Sequence, residues 1–217
     1  MNTTKIEFAD FSLNPIIGCR HKCYYCYARK LATRFNLVED FEIPEYFPNR
    51  LIGHWSITLP KVRNRIVKQI SPDKPVVFMV DMGDIMSPGV SDRWIGEIIQ
   101  FCYSHPEAIF LFLTKNPMRY LHFRFPVNVW LGVTLDSKNT LSNRLAAMEI
   151  MSQDNTVFAS IEPITCDFHH YNLNFFKHIF VGAMTNAGQQ NIIPNKLWIE
   201  SIKHESIFFK YNIQKYL

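Results

Sequence analysis

No apolar run in the sequence approaches the ~18 residues that a membrane-crossing helix requires. The N-terminus, Met1-Asn2-Thr3-Thr4-Lys5-Ile6-Glu7, lacks the basic-then-apolar pattern of a secretory leader. Both absences lead to the expectation of a cytoplasmic chain with no membrane partner. An excess of one charge is also missing. A net charge of +4 with 19% charged and 47% apolar residues describes a globular chain, not a disordered one. That mild basicity permits a nucleic-acid partner without demanding one. Cysteines are few and odd in number, five in 217 residues, which argues against a secreted disulfide framework and for a reducing compartment. The chain is instead rich in aromatic residues, with eighteen Phe, nine Tyr and four Trp, suited to a tightly filled interior. Its length fits a single domain spanning 1–217.

Three of the five cysteines fall within eight residues, in Gly18-Cys19-Arg20-His21-Lys22-Cys23-Tyr24-Tyr25-Cys26-Tyr27-Ala28. The spacing is C-x3-C-x2-C. Structural cysteines scatter through a core as small hydrophobes, whereas three close thiolates on one loop converge on a soft centre, zinc or an iron–sulfur cluster. A zinc site would need a fourth ligand such as His21, Cys102 or Cys166. Cys102 sits among apolar neighbours in a helical stretch and reads as core. Cys166 reads as a loop residue. With only those two left over, a second three-cysteine cluster cannot be built.

The rest of the chain has a rhythm. A short strand is expected to lead into the cysteine loop, and a helix over 28–35 to leave it. Residues 38–60 hold Pro44, Pro48 and Pro60 and read as an irregular connection. Lys61 to Ile70 is amphipathic. Apolar strands are expected at 75–80, 109–113, 128–133, 157–161, 178–183 and 206–209, with helices at 91–103, 117–121, 138–151 and 194–203 between them. Strands that are apolar throughout belong to a parallel sheet covered on both faces, and strand–helix alternation defines an α/β fold. Six or seven such units make a partial (β/α)6-type TIM barrel, with the cysteine loop after the first strand. Polar residues recur where these strands end: Asp81, Gly83, Asp84, Lys115, Thr134, Asp136, Ser160, Glu162, Asn186 and Lys210. In barrel folds that rim carries the site. The basic residues Arg29, Lys30, Arg34, Lys61, Arg63, Arg65 and Lys68 fit either a phosphate-binding track or a solvated helix face.

The cysteine spacing, with aromatic Tyr25 before the third cysteine, resembles the signature of the radical SAM enzymes. The longer string Leu13-Asn14-Pro15-Ile16-Ile17-Gly18-Cys19 through Tyr25-Cys26-Tyr27-Ala28-Arg29 is similar to the branch that includes spore photoproduct lyase. Phe112-Leu113-Thr114-Lys115-Asn116-Pro117, Asn128-Val129-Trp130-Leu131-Gly132-Val133, Ser160-Ile161-Glu162-Pro163 and Val181-Gly182-Ala183 resemble a phage-associated radical SAM family. The resemblance covers about residues 8–210. It implies a [4Fe–4S] cluster on Cys19, Cys23 and Cys26, with the open iron chelating S-adenosylmethionine (SAM). It also implies an electron donor such as flavodoxin or ferredoxin, and hydrogen abstraction by a 5′-deoxyadenosyl radical. Tyr25 would lie against adenine. Gly83 and Asp84 occupy the place of the methionine-amino contact, though without the Gly-Gly-Glu of the family. Thr134 and Asp136 would meet the ribose hydroxyls, and Ser160 the SAM or substrate face. Lys115, Glu162 and Lys210 are the candidates for catalytic roles, the two lysines toward the SAM carboxylate or a substrate phosphate. The substrate expected is a nucleic-acid base or nucleotide. The alternatives are a peptide or small metabolite, or a non-catalytic metal-binding module that recognises nucleic acid.

Overall fold

The computed structural model describes residues 1–52, 57–185 and 190–217. The chain opens with β1 (Asn2–Thr3) and β2 (Phe11–Leu13), which pair antiparallel. β3 (Ile16–Ile17) leads into the cysteine loop, α1 (Tyr27–Arg34) leaves it, and β4 (Glu45–Tyr46) returns to pair with β3. α2 (Arg65–Ile70) precedes β5 (Val76–Met79), and α3 (Asp92–Tyr103) precedes β6 (Ile109–Thr114). After β7 (Val129–Thr134) come α4 (Leu141–Met151) and β8 (Val157–Ile161). The last elements are β9 (His178–Val181), α5 (Lys196–Ser201) and β10 (Ile207–Phe209).

The main sheet has the order β1-β2-β5-β6-β7-β8-β9-β10, and every pairing after β1–β2 is parallel. The fold is thus mixed α/β with a mostly parallel sheet, consistent with the partial barrel expected from the sequence. No strand ladder joins β1 to β10 among the described residues. The two edges are nevertheless drawn together by the segment between β1 and β2. The Glu7 carboxylate accepts from the Tyr211 N–H at 3.1 Å, just past β10, and Phe8 stacks on Phe180 of β9 at 4.2 Å. Asn186, expected in the polar rim, lies outside the described residues.

Alternation along the strands divides the core. Val77, Met79, Phe110, Phe112, Leu131, Val133, Ala159 and Ile161 pack with α3, α4 and α5. Phe78, Leu111, Trp130, Phe158 and Phe180 point the other way and are covered by Phe8, Ala9 and α2. Helix α3 follows the sequence reading closely. Ser91 caps it by accepting from the Arg93 N–H, and Ile95, Ile98, Ile99 and Cys102 form its buried stripe. Helix α2 starts four residues later than the amphipathic pattern, because Asn64 caps it and Arg63 is drawn away. The Arg63 guanidinium makes a two-point pair with buried Asp10 at 2.8 Å on each arm. Arg29 lies beside Glu42, and Arg34 over the Phe35 ring. Arg63 therefore belongs to the packing of the chain and not to a phosphate track.

Two local features carry predictions. A Cβ on Gly132 would lie 2.2 Å from the Phe158 ring. Gly132→Ala is therefore expected to cost about 1–3 kcal/mol through overpacking, read as a lower urea midpoint. An unchanged midpoint would mean that Phe158 yields freely. His178 packs against Trp130 and Phe208, and its Nε2 is buried without a partner among the described residues. Burial, then the charges of Lys177 and His204, lower its pKa from 6.5 to about 4. A group with a depressed folded pKa contributes stability that is full above the unfolded value and is lost as pH falls through the folded one. Between pH 6.5 and about 4, wild type is expected to lose more stability than His178→Phe, as measured by urea unfolding at stepped pH. Parallel pH curves would refute this.

Candidate functional site

The cysteine loop is fastened to the end of β5 by close backbone approach. Gly18 has φ +110°, and a Cβ there would meet the Pro44 Cα at 2.9 Å. Gly18 N–H donates to the Met82 carbonyl and forms a parallel bridge with Gly83, where a Cβ would sit 2.6 Å from the Gly18 oxygen. Only glycine satisfies both positions. Further on, the Arg20 N–H donates to Ser87 Oγ at 2.9 Å, and His21 Nε2 lies 3.0 Å from the Asp84 carboxylate. Cys26 ends the loop by capping α1, its Sγ accepting from the Arg29 N–H. All three loop thiols are free and half-buried. Burial first, and then the charge of Asp84, push the Cys19 thiol up to about 12.

Asp84 is itself fully committed. It accepts from Thr114 Oγ1 at 2.7 Å, the Lys115 N–H at 2.8 Å and the Met86 N–H at 2.9 Å, besides facing His21. Burial opposes its charge, but His21 and these donors outweigh that and hold the carboxyl below its usual range. It acts as the peg under the cysteine loop. The neighbouring Asp81 has the opposite character. Burial pushes its carboxyl up, and its Oδ1 is buried without a hydrogen-bond partner among the described residues.

A cavity of about 700 Å³ opens where the parallel strands end. Most of the residues expected from the sequence line it: Cys19, Cys23, Cys26, Tyr25, Gly83, Asp84, Lys115, Thr134, Ser160, Glu162 and Lys210. Asp136 does not. It lines a second cavity of about 460 Å³, together with Tyr25 and Lys115, which face both. Thr134 and Asp136, expected to act as a pair, are thus divided between two cavities. The Asp136 carboxylate is also taken. Lys115 Nζ and the Tyr25 hydroxyl donate to Oδ2, and Arg144 Nη1 donates to Oδ1 at 2.6 Å. Burial opposes this charge too, but Lys115, Tyr25 and Arg144 hold the carboxyl below its ordinary value. Burial, then Asp136, push the Tyr25 phenol far above its usual range. Tyr25 therefore stays protonated as the donor, and Lys115 donates to its oxygen.

Across the larger cavity, Lys210 Nζ pairs with Glu162 at 2.7 Å, and Asn212 donates to the other Glu162 oxygen at 3.1 Å. Asn212 also exchanges two bonds with the Ala183 backbone, which fixes the segment after β10. Arg144, Asn212 and the His21–Asp84 contact escaped the sequence reading. Each depends on a partner brought close by folding, and no local spacing signals it. Cys102 is fully buried in the core, and Cys166 lines the second cavity.

The fold is similar to that of a solved lyase. It matches a spore photoproduct lyase mutant with bound AdoMet and dinucleoside spore photoproduct, with a TM-score of 0.56 and 11% sequence identity. The match covers 90% of this chain and 65% of that chain. Residues 3–211 match the family described as Protein of unknown function (DUF5131), and the chain belongs to that family. No curated protein matches the sequence. Among the described residues, no helix is long and apolar enough to cross a membrane.

Proposed function

We propose that this protein is a radical SAM enzyme in which Cys19, Cys23 and Cys26 hold a [4Fe–4S] cluster and S-adenosylmethionine occupies the adjoining cavity. One observation carries the reading: three free thiols on one loop face a single large cavity at the ends of parallel strands. Neither of the other two cysteines lines that cavity. The donor set fits the group. Thiols are soft ligands, three of them leave one iron open, and coordination draws off a proton that Cys19 otherwise keeps. When bound, cluster and SAM together supply a 5′-deoxyadenosyl radical for hydrogen abstraction, once a reductant such as flavodoxin or ferredoxin has delivered an electron.

The chain's own residues then bind and orient. Asp84 and Gly83 hold the loop. Asp81, with its unpartnered oxygen, is the carboxylate that can take the SAM ammonium group in place of Asp84. Thr134 and Ser160 supply hydroxyls to the cavity, and Lys115 a positive charge beside Tyr25 for the SAM carboxylate. The Glu162–Lys210 pair offers an acceptor and a donor on the substrate side. A nucleic-acid base or nucleotide is the substrate class we favour. The mild positive charge of the chain supports it, as does the dinucleoside held by the structurally similar lyase.

A second reading rests on another observation: donor atoms of Cys19, His21 and Asp84 lie within 4.8 Å of one another, as in a single-metal site. The three hydrogen bonds already accepted by Asp84 weigh against it. Anaerobic reconstitution decides between the two. A brown protein with absorption near ~400 nm that releases 5′-deoxyadenosine from SAM on reduction is expected. A colourless protein holding one zinc would overturn the enzyme reading. Transfer of deuterium from labelled DNA or nucleotides into 5′-deoxyadenosine would then identify the substrate.

A further inference from the structure

The second cavity has a chemistry of its own. It shares Tyr25 and Lys115 with the cysteine cavity, so a ligand in it lies next to the proposed radical site. Among the described residues, three cations, Lys115, Lys138 and Arg144, line it against the single carboxylate of Asp136. Asp136 neutralises one of them, which leaves the cavity positive. Among the described residues, Arg144 donates only through Nη1, to the Thr134 carbonyl at 2.7 Å and Asp136 at 2.6 Å. A guanidinium has five N–H donors in a planar fork suited to phosphate. Lys138 is exposed at the rim and begins the 3-10 turn Lys138–Thr140 that leads into α4.

The cavity also has aromatic and apolar lining. Tyr24 and Tyr25 meet edge to face at 5.3 Å, and the Tyr24 hydroxyl rests on Met184 Sδ at 3.4 Å. Met184 and Ile192 complete an apolar surface. A volume of about 460 Å³ falls in the range of small-ligand sites. Cations together with aromatic and apolar side chains suit a ligand with an anionic end and a flat ring, the combination that phosphate contacts and base stacking recognise.

We propose that this second cavity binds a nucleoside phosphate, its phosphate against Arg144 and Lys138 and its base against Tyr24, Met184 and Ile192. The function assigned to this ligand, that of substrate, rests on the radical SAM reading; its binding does not. The phosphate belongs either to a free nucleotide or to a nucleic-acid strand, which the open rim at Lys138 admits.

The test is calorimetric titration of the reconstituted protein. The probes are 2′-deoxynucleoside 5′-monophosphates, the matching nucleosides, inorganic phosphate and a short single-stranded oligodeoxynucleotide. At least one monophosphate is expected to bind about tenfold or more tighter than its nucleoside, with affinity falling as salt rises. Arg144→Gln and Lys138→Glu are each expected to weaken it by about five- to twentyfold. Lys68→Glu, an equal charge change on the exposed side of α2, is expected to leave binding unchanged. Because Arg144 also braces Asp136, the rim variant Lys138→Glu is the one that decides if Arg144→Gln folds poorly. Tighter binding of the oligonucleotide identifies a strand as the source, and tighter binding of the monophosphate a free nucleotide. Equal affinities for nucleotide and nucleoside, or equal losses in Lys138→Glu and Lys68→Glu, overturn the proposal. Release of 5′-deoxyadenosine from SAM alone is measured on the same preparation. Cleavage without nucleotide binding sinks the cavity assignment only, and binding without cleavage sinks the enzyme reading only.

Discussion

Cys23→Ala is expected to yield a folded, colourless protein that neither retains iron nor cleaves SAM, while Cys102→Ala keeps both properties. The contrast follows from where the two thiols sit. Cys23 is half-buried on the loop and lines both cavities. Cys102 is fully buried within α3 in the main core, where burial pushes its thiol well above the usual range. Removing one of three ligands leaves two thiols, too few to hold a cluster that is already one protein ligand short. The fold should survive. The loop is anchored by the Gly18–Gly83 approach, the Arg20–Ser87 bond and the His21–Asp84 contact, none of which involves Cys23. Cys102→Ala should instead cost only stability, about 1 kcal/mol for a small cavity. Iron and sulfide analysis, absorption and 5′-deoxyadenosine release on both variants settle the point. Iron retained at wild-type level in Cys23→Ala, or lost in Cys102→Ala, would mean that the ligands are misassigned.

Much of this fold could be read from the sequence, for identifiable reasons. Strands buried on both faces are apolar at successive positions, so β5, β6, β7 and β8 stand out as runs such as Val76-Val77-Phe78-Met79. Helix α3 announces itself through Ser91 and its buried spacing. The three cysteines are legible because cluster chemistry demands proximity along the chain. What was hidden depends on distant pairing. Asp10 and Arg63 are 53 residues apart, and nothing local marks Arg63 as different from the solvated Lys61 or Arg65. Asp84 looked like an open site carboxylate. Its role as a peg emerges only when β6 brings Thr114 and the Lys115 N–H to it. The family resemblance places Asp136 with Thr134 at the ribose hydroxyls. Lys115 and Arg144, one on each side of it, instead hold its side chain in the second cavity. Strand ends reveal that a residue reaches the rim. They do not reveal which cavity it enters or which partners it has already found.

Asp136 supports the largest stability effect expected outside the core. Its carboxylate faces Lys115 and Arg144, whose side chains are only 14% and 12% exposed, and its own side chain is 10% exposed. Asp136→Asn removes the one negative charge these cations share at that wall. Two positive groups then face each other across a poorly solvated space, a situation that costs about 3–5 kcal/mol when a buried pair is broken from one side. A single neutral amide oxygen then replaces the two carboxylate oxygens shared by Tyr25, Lys115 and Arg144, and the Tyr25 ring centre stays 4.7 Å from the Lys115 ammonium. Lys115→Met should cost less, because Asp136 keeps Arg144 and Tyr25 as partners. The double variant Asp136→Asn/Lys115→Met should be more stable than Asp136→Asn alone, since one stranded cation has gone. Urea unfolding of the four proteins measures this coupling directly. Strict additivity would show that the wall is solvated enough for its charges to act independently. The sign of the coupling also bears on function. If Lys115 is held by Asp136 and Tyr25 in the resting protein, an anion entering either cavity competes for its ammonium group. Ligand binding on one side of the wall then alters the charge presented on the other, so Asp136→Asn should tighten binding of an anionic probe even as it lowers stability.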